Sequence, residues 1–294
     1  LLLTQGEAAT RERHVVHGNH NLVLLAALKY NACIYSKTDL THAGDYRPME
    51  LETDVVSTAS GSARLRLANT DILVGVKTEI DVPYPENPEE GKLDSANATP
   101  AFEGRGGEDL ANEISSRLSR AYQSLPLAPL CIVPKQACWK LYVDILILEC
   151  GGNFYDAISL AVKAALFNTR VPQVTGSFLD GGSVDLEVSD DPFQCWRLDI
   201  TKAPVSCDIG DNCVVDPTAE EETCSVASIV VAVLDSGSLT AVIKIGEGSV
   251  HEQTLIETIK TAQKIGVELN SSLMTALNQE ESLGPKRQRF GFLK

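Results

Sequence analysis

The sequence is short of positive charge and of long apolar runs. Lysine and arginine number 25 against 40 aspartates and glutamates, so the formal net charge is −15 over 294 residues. Carboxylates repel phosphates, so we do not expect the whole surface to bind nucleic acid. One local basic patch is still compatible with this net charge. The longest apolar run near the N-terminus, 22–28, is too short to cross a bilayer and lacks the basic flank of a signal peptide. We expect neither a membrane anchor nor a signal peptide.

The cysteines and histidines lack the spacing of a metal centre. Eight cysteines are present, no two of them are spaced C-x-x-C, and the five histidines do not cluster with them. A zinc site is therefore not expected, and nothing else predicts a cofactor. Several cysteines lie inside apolar runs, where a reduced thiol behaves as a small hydrophobe, so we expect a reducing compartment, the cytosol or the nucleus. The eight residues are Cys33, Cys131, Cys138, Cys150, Cys195, Cys207, Cys213 and Cys224.

The organising stretch of the chain is 141–170, LYVDILILECGGNFYDAISLAVKAALFNTR. Only Asp144 is charged between Leu141 and Leu148, which predicts a strand buried on both faces. Two glycines then break the strand, and Asn153 is a candidate helix N-cap. The following residues place one apolar stripe at helical spacing, and three alanines keep that helix slim enough to lie close to a sheet.

Alternation and helical spacing predict the remaining elements. Before the central stretch we expect an antiparallel meander over 49–80, a polar linker over 83–100 and a helix after the glycine-rich 104–107, which matches no phosphate-binding loop. After it we expect a glycine-rich linker over 172–182, short strands and a long amphipathic helix from about His251. The predicted short strands are 184–188, 196–201, 204–207, 213–215, 225–234 and 239–245.

This order of elements predicts an α/β or α+β protein in two parts, with the seam near 175–190. Periodicity alone names no function.

Several sequence blocks together resemble the ribonuclease PH-like family, and most closely its ring subunits of the eukaryotic RNA exosome. The blocks are ELETDVVSTASGSARLRLANTDILVGVK, ATPAFEGRGGEDL, LCIVPKQACWKLYVDIL, ECGGNFYDAISLAVKAALFNTRVP and VVDPTAEEETCSVASIVVAV. The resemblance covers about 45–270 and implies a ribonuclease PH-like fold of two β-α-β-α subdomains. It also implies an atypical N-terminal segment 1–44, a first domain 45–175, a C-terminal domain 190–280 and a basic tail 281–294.

The N-terminal third departs from that family pattern in two places. The arginine-containing L-R-x-D-G-R stretch that usually comes before D-Y-R is replaced by Thr41-His42-Ala43-Gly44. The alternating strand between the E-G and A-T-P blocks is largely missing, since Glu90-Gly91 runs almost directly into Asp94-Ser95-Ala96. We therefore expect the edge of the first domain to be incomplete.

The residues that the resemblance aligns with the family's catalytic groups have changed. Active members place Thr-Arg beside the glycine turn to hold phosphate, where this chain has Phe154-Tyr155. Their acidic pair aligns with Glu222 and Ser228, and serine cannot act as a carboxylate. We interpret the acidic run 220–222 as a solvated loop. The resemblance thus implies a non-catalytic scaffold without catalytic, metal or cofactor residues, and the alternative is an active phosphate-dependent 3′-to-5′ exoribonuclease.

The resemblance also implies RNA contact at a ring pore. Related subunits carry a pore arginine at the position of Arg120, with Arg117 and Arg105 nearby, and Arg64 is a weaker candidate on an open strand face. The implied partners are other ribonuclease PH-like subunits in a six-membered ring, cap subunits and single-stranded RNA, with no membrane. The implied role is support of rRNA maturation and mRNA turnover, in the nucleus, including the nucleolus, and in the cytoplasm.

Overall fold

A large mixed sheet organises the first half of the chain in the computed structural model, which describes residues 22–24, 46–98, 105–178, 184–191, 193–210 and 214–282. Within these residues the sheet has seven strands in the order β1-β2-β3-β4-β7-β5, with β6 paired to β7. All pairs are antiparallel except the parallel pair of β5 and β7. The strands are β1 (Leu22–Leu24), β2 (Met49–Thr53), β3 (Gly61–Leu67), β4 (Thr70–Asp81), β5 (Lys92–Ala98), β6 (Cys131–Val133) and β7 (Ala137–Glu149).

The predicted meander is β2-β3-β4, and the predicted buried strand is the centre of β7. Alternate residues of β3 are buried at Ala63, Leu65 and Leu67, while Arg64 and Arg66 lie on the other face. β4 and β7 pair over eleven residues of β4, so the two longest strands form the middle of the sheet.

The predicted linker 83–100 was wrong in its second half, because Lys92–Ala98 forms β5. This strand pairs with β7 in register from Lys92 opposite Lys140. Its sequence KLDSANA shows little alternation of apolar and polar residues, so the pattern did not predict a strand. An edge strand such as β5 needs fewer buried side chains than a central one. Ion pairs of Lys92 with Asp81 (2.8 Å) and of Lys140 with Asp94 (2.6 Å) fix it instead. The edge that we expected to lose a strand therefore keeps one.

The described chain contains four α-helices, and α2 lies at the centre. They are α1 (Arg105–Ala121), α2 (Phe154–Asn168), α3 (Ala219–Cys224) and α4 (Glu252–Ser282). The helix α2 packs on β3 and β4, and from Asp156 to Leu166 every residue is buried. The single apolar stripe that we predicted is thus too narrow, because a second layer covers the opposite face of the helix.

That second layer is a three-stranded antiparallel sheet of β12 (Val205–Ile209), β13 (Ser228–Val233) and β14 (Leu239–Ile245). The long helix α4 packs on β12 and β13 with the seam that the sequence predicted. Two antiparallel pairs lie between the halves: β9 (Val174–Phe178) with β10 (Val184–Val188), and outside them β8 (Arg170–Pro172) with β11 (Cys195–Arg197).

Three predictions between 172 and 215 need correction. The segment 172–182 is not all linker, because β9 lies within it. The predicted strand 196–201 is reduced to Cys195–Arg197, and 213–215 contributes only a bridge from Val215 to Ile209, with residue 213 outside the described residues. In the described part of the chain, no helix is both long and apolar enough to cross a membrane.

Candidate functional site

The glycine turn between β7 and α2 brings the two halves together. Gly152 has φ +96°, and a Cβ at this position would lie 2.4 Å from the backbone nitrogen of Ala219. Glycine is therefore required both for the backbone conformation and for the close approach of the second half. The next residue, Asn153, is the N-cap of α2 as predicted, but it has φ 52° and its side chain does not cap the helix.

A buried cluster of polar groups surrounds this turn, with Arg47 at its centre. Arg47 donates from Nε and Nη2 to the two carboxylate oxygens of Asp216, both at 2.9 Å. It also donates to the carbonyl oxygens of Gly151 (2.9 Å) and Gly152 (3.0 Å). The Asn153 amide donates to Asp216 at 2.8 Å. Because Asp216 follows β12 and Arg47 precedes β2, this cluster ties the second half of the chain to the first.

Asp156 is buried in the same cluster. One carboxylate oxygen accepts from Tyr46 Oη (2.8 Å) and Asn153 Nδ2 (3.0 Å), and the other accepts from the backbone nitrogen of Asp208 (2.7 Å). Burial and the neighbouring Asp208 carboxylate raise the pKa of Asp156, while the two side-chain donors act in the opposite direction.

The acidic run 220–222 is not the solvated loop that we predicted. Thr218 and Glu221 form a reciprocal capping box, so these residues fold into the short helix α3. Glu222 then reaches the turn of the first half and accepts from the backbone nitrogen of Asn153 at 2.7 Å. Burial raises the pKa of Glu222.

A cavity of about 720 Å³ lies between the start of α2, α3 and the strands β12 to β14. None of the described residues that line it is lysine, arginine or histidine, whereas four are acidic. The remaining wall is largely apolar. The lining residues are Phe154, Tyr155, Asp208, Gly210, Val214, Pro217, Thr218, Glu220, Glu221, Glu222, Cys224, Ser225, Val226, Ala227, Ser228, Ile245 and Gly246.

Asp208 is the acidic group of this cavity that sequence reasoning missed. It lies on β12 opposite Val230, so it shares a sheet face with Ser228 two residues away on β13. The residue is 2% exposed, and burial raises its pKa to about 6, although a hydrogen bond with Ser228 acts in the opposite direction. Asp208 and Ser228 lie on different strands, so their proximity depends on the pairing of β12 with β13. The alternation of VSCDI, with Asp208 among buried residues, was the available signal.

Aromatic rings occupy the place where the resemblance expects a phosphate-binding cation. The ring centroids of Phe154 and Tyr155 are 4.1 Å apart. The guanidinium of Arg117 lies 4.4 Å from the centroid of the Tyr155 ring and pairs with Glu113 on α1. Arg117 thus contacts the Tyr155 ring, and it is not among the described residues that line the cavity.

Of the four arginines proposed from sequence, Arg64, Arg117 and Arg120 have described side chains, and they lie on two different elements, β3 and α1. Arg120 is exposed near the end of α1. Arg64 lies on β3, where it makes two hydrogen bonds to Asp71 (2.6 and 2.9 Å). Arg105 begins α1, and its side chain lies outside the described residues. Their contact with RNA stays a prediction.

Comparison with known proteins agrees with this architecture. The model of domain 1 of the 3′ exoribonuclease family (RNase PH) matches residues 45–172, and the model of domain 2 matches residues 206–265. The Methanothermobacter thermautotrophicus protein named exosome complex component Rrp42 is 33% identical over 229 aligned positions, and the match covers 74% of this chain and 82% of that protein. A Dictyostelium discoideum relative, whose name includes "exosome complex exonuclease RRP42", is 30% identical over 79% of this chain and 90% of its own length.

Solved structures with a similar fold include chains of two exosomes. A chain of an archaeal exosome core has a TM-score of 0.63 and 26% sequence identity, covering 79% of this chain and 88% of its own. A chain of the Archaeoglobus fulgidus exosome with RNA bound to the active site has a TM-score of 0.63 and 27% identity, covering 78% of this chain and 89% of its own.

Proposed function

Because the chain belongs to the 3′ exoribonuclease (RNase PH) family, with exosome components named Rrp42 among its relatives, we propose that it is a non-catalytic subunit of an exosome core ring. In this role it supports 3′-to-5′ RNA processing and degradation by other subunits. The observation that carries the proposal is the absence of any cationic side chain among the described residues of the cavity beside the glycine turn.

Phosphorolysis needs a bound phosphate as the attacking group. A phosphate in this cavity would meet Asp208, Glu220, Glu221 and Glu222, and like charges in a partly buried site repel strongly. The nearest arginines are engaged elsewhere, Arg47 with Asp216 and Arg117 with Glu113. The cavity is therefore a poor phosphate site.

The alternative is an active phosphate-dependent exoribonuclease, and two observations favour it. The name of the Dictyostelium relative includes the word exonuclease. Asp208, with its pKa raised to about 6, also has the acidity expected of a general acid near neutral pH. The cavity thus has a candidate acid, Asp208, but among its described lining residues it has no cationic side chain to bind the phosphate.

An assay on the full chain separates the two functions. The purified protein is incubated with poly(A) and inorganic phosphate, and nucleoside diphosphates are measured by chromatography. We expect no release above a reaction without protein. Phosphate-dependent release that disappears in both Glu222→Gln and Asp208→Asn, with folding of each variant checked by circular dichroism, would establish the catalytic alternative instead.

Membership of the ring is tested by purifying the tagged full chain from cells. We expect other ribonuclease PH-like subunits of a six-membered ring and cap subunits to elute with it in fixed proportion on size exclusion. Elution as an isolated monomer would contradict the proposal. The same proposal assigns the chain to the nucleus, including the nucleolus, and to the cytoplasm, with roles in rRNA maturation and mRNA turnover.

We also propose that α1 contacts single-stranded RNA in the pore. Among the four candidates Arg120 is favoured, because it is exposed at the end of α1, whereas Arg64 and Arg117 are held in ion pairs. A free guanidinium can meet a phosphate without first breaking an existing pair.

A further inference from the structure

The cavity beside α3 contains a buried carboxylate oxygen without a partner. Asp208 lines the cavity, is only 2% exposed and has a side-chain hydrogen bond with Ser228, but within the described residues its Oδ1 accepts none. An unpartnered buried acceptor is costly, and a charged one more so. Oδ1 is closed to solvent in this conformation, so a donor in the cavity would remove this cost once the Asp208 side chain turns toward it.

Neither of the two arginines close to the cavity supplies that donor. The charge of Arg117 acts on Asp208 through space, but its guanidinium pairs with Glu113 and stacks over Tyr155. Arg47 acts in the same way on Glu222, and its hydrogen bonds go to Asp216 and the glycine turn. The chain therefore leaves the acidic side of the cavity without a bound cation among its described residues.

The wall opposite the carboxylates is apolar and would suit a hydrocarbon stem. Phe154, Pro217, Val226 and Ile245 line it, and Val226 is 64% exposed. At about 720 Å³ the cavity is larger than one side chain, so it has room for a short peptide segment. In the described part of the chain, no group of three or more His, Cys, Asp or Glu side chains is arranged to hold a metal ion.

We propose that this cavity binds an arginine side chain presented by a peptide segment of a partner protein. The guanidinium donates to Oδ1 of Asp208, and Glu222 adds negative charge beside it. Arginine fits better than lysine, because its planar fork can donate to an acid while its face stacks on Phe154. This binding goes beyond the role in a ring and holds whether or not the chain is catalytic.

The first test uses the full chain and three probes in NMR titrations. The probes are the peptide acetyl-Leu-Arg-Leu-amide, the same peptide with citrulline as a neutral isostere of arginine, and spermidine. We expect the arginine peptide to bind, and the citrulline peptide and spermidine to bind about fivefold more weakly or worse, because a charge-assisted hydrogen bond is lost or misplaced. Equal affinity for the two peptides, or tighter binding of spermidine, would refute the assignment.

The second test uses variants that report on this cavity. Asp208→Asn should weaken binding of the arginine peptide about fivefold or more, because the anion is removed while the shape is kept. Val226→Lys should also abolish binding, since it places a tethered ammonium at the cavity. Val242→Lys on β14 is the matched control, being an exposed valine outside the cavity lining, and should bind as the parent does.

Two outcomes would overturn the inference even if Asp208→Asn folds poorly. One is binding of the arginine peptide that is equal in Val226→Lys and Val242→Lys. The other is displacement of the peptide by inorganic phosphate, which would make the cavity a phosphate site and would favour the catalytic alternative. Failure of the chain to join a ring would leave the inference intact, so the two proposals fail separately.

Discussion

Asp208 is the residue whose ionisation matters most at the cavity. Its pKa is raised to about 6 from the ordinary value of 3.8, chiefly by burial. Between these two values the folded protein keeps a proton that the unfolded chain has released. The stabilising contribution of this group is therefore complete below about pH 4 and is lost as the pH rises through about 6.

We predict that Asp208→Asn removes this part of the pH dependence. The free energy of unfolding of the parent should fall relative to that of the variant by on the order of 2 kcal/mol between pH 4 and pH 7. Urea unfolding at both pH values, followed by circular dichroism, measures the difference. A difference between the two proteins that stays constant over this range would mean that Asp208 ionises normally.

Arg120 is the residue that we expect to contact single-stranded RNA. In the assembled ring, Arg120→Glu should weaken binding of single-stranded RNA about fivefold and lower the salt dependence of binding by roughly one phosphate contact. Fluorescence anisotropy over a series of salt concentrations measures both. Arg170→Glu is the matched control, an exposed arginine on β8 with the same change of charge. Equal losses in the two variants would exclude a specific role for Arg120.

Among the elements, α4 packs tightly against the small sheet at Gly266. A Cβ there would lie 2.6 Å from Cβ of Val233, a separation that packed atoms do not reach. We expect Gly266→Ala to destabilise the protein by about 1–3 kcal/mol, because helix and sheet must move apart. Gly75→Ala is the control, since a Cβ there would lie 3.8 Å from Ala59. Thermal unfolding compares the two, and equal melting temperatures would contradict the expectation.

The elements that could be predicted from sequence are those with a strong apolar pattern. The centre of β7, the helix α2 and the seam of α4 follow from such patterns, because burial selects apolar residues at fixed spacing. The edge strand β5 has no such pattern, because its ladder and ion pairs hold it. The cavity also could not be predicted from the sequence. Asp208 and Ser228 share a sheet face only because of the register in which β12 and β13 pair.

At the scale of the whole molecule, the pair of Arg47 and Asp216 joins the two halves in a buried setting. Arg47→Ala should cost about 3–5 kcal/mol of unfolding free energy, because Asp216 would stay buried without its cation. Arg66→Ala is the control, since Arg66 is about half exposed in its ion pairs, and it should cost less than about 1 kcal/mol. Urea unfolding measures both. A similar loss of unfolding free energy in the two variants would mean that the buried pair of Arg47 and Asp216 contributes little to stability.

The hydrogen bond from the backbone nitrogen of Asn153 to Glu222 has a practical consequence. This single amide proton is shielded only while residues almost seventy positions apart in the chain stay in contact. The hydrogen-exchange rate of this amide therefore measures how often the two halves separate in solution. A fast rate in an otherwise protected protein would report that the halves separate while each stays folded.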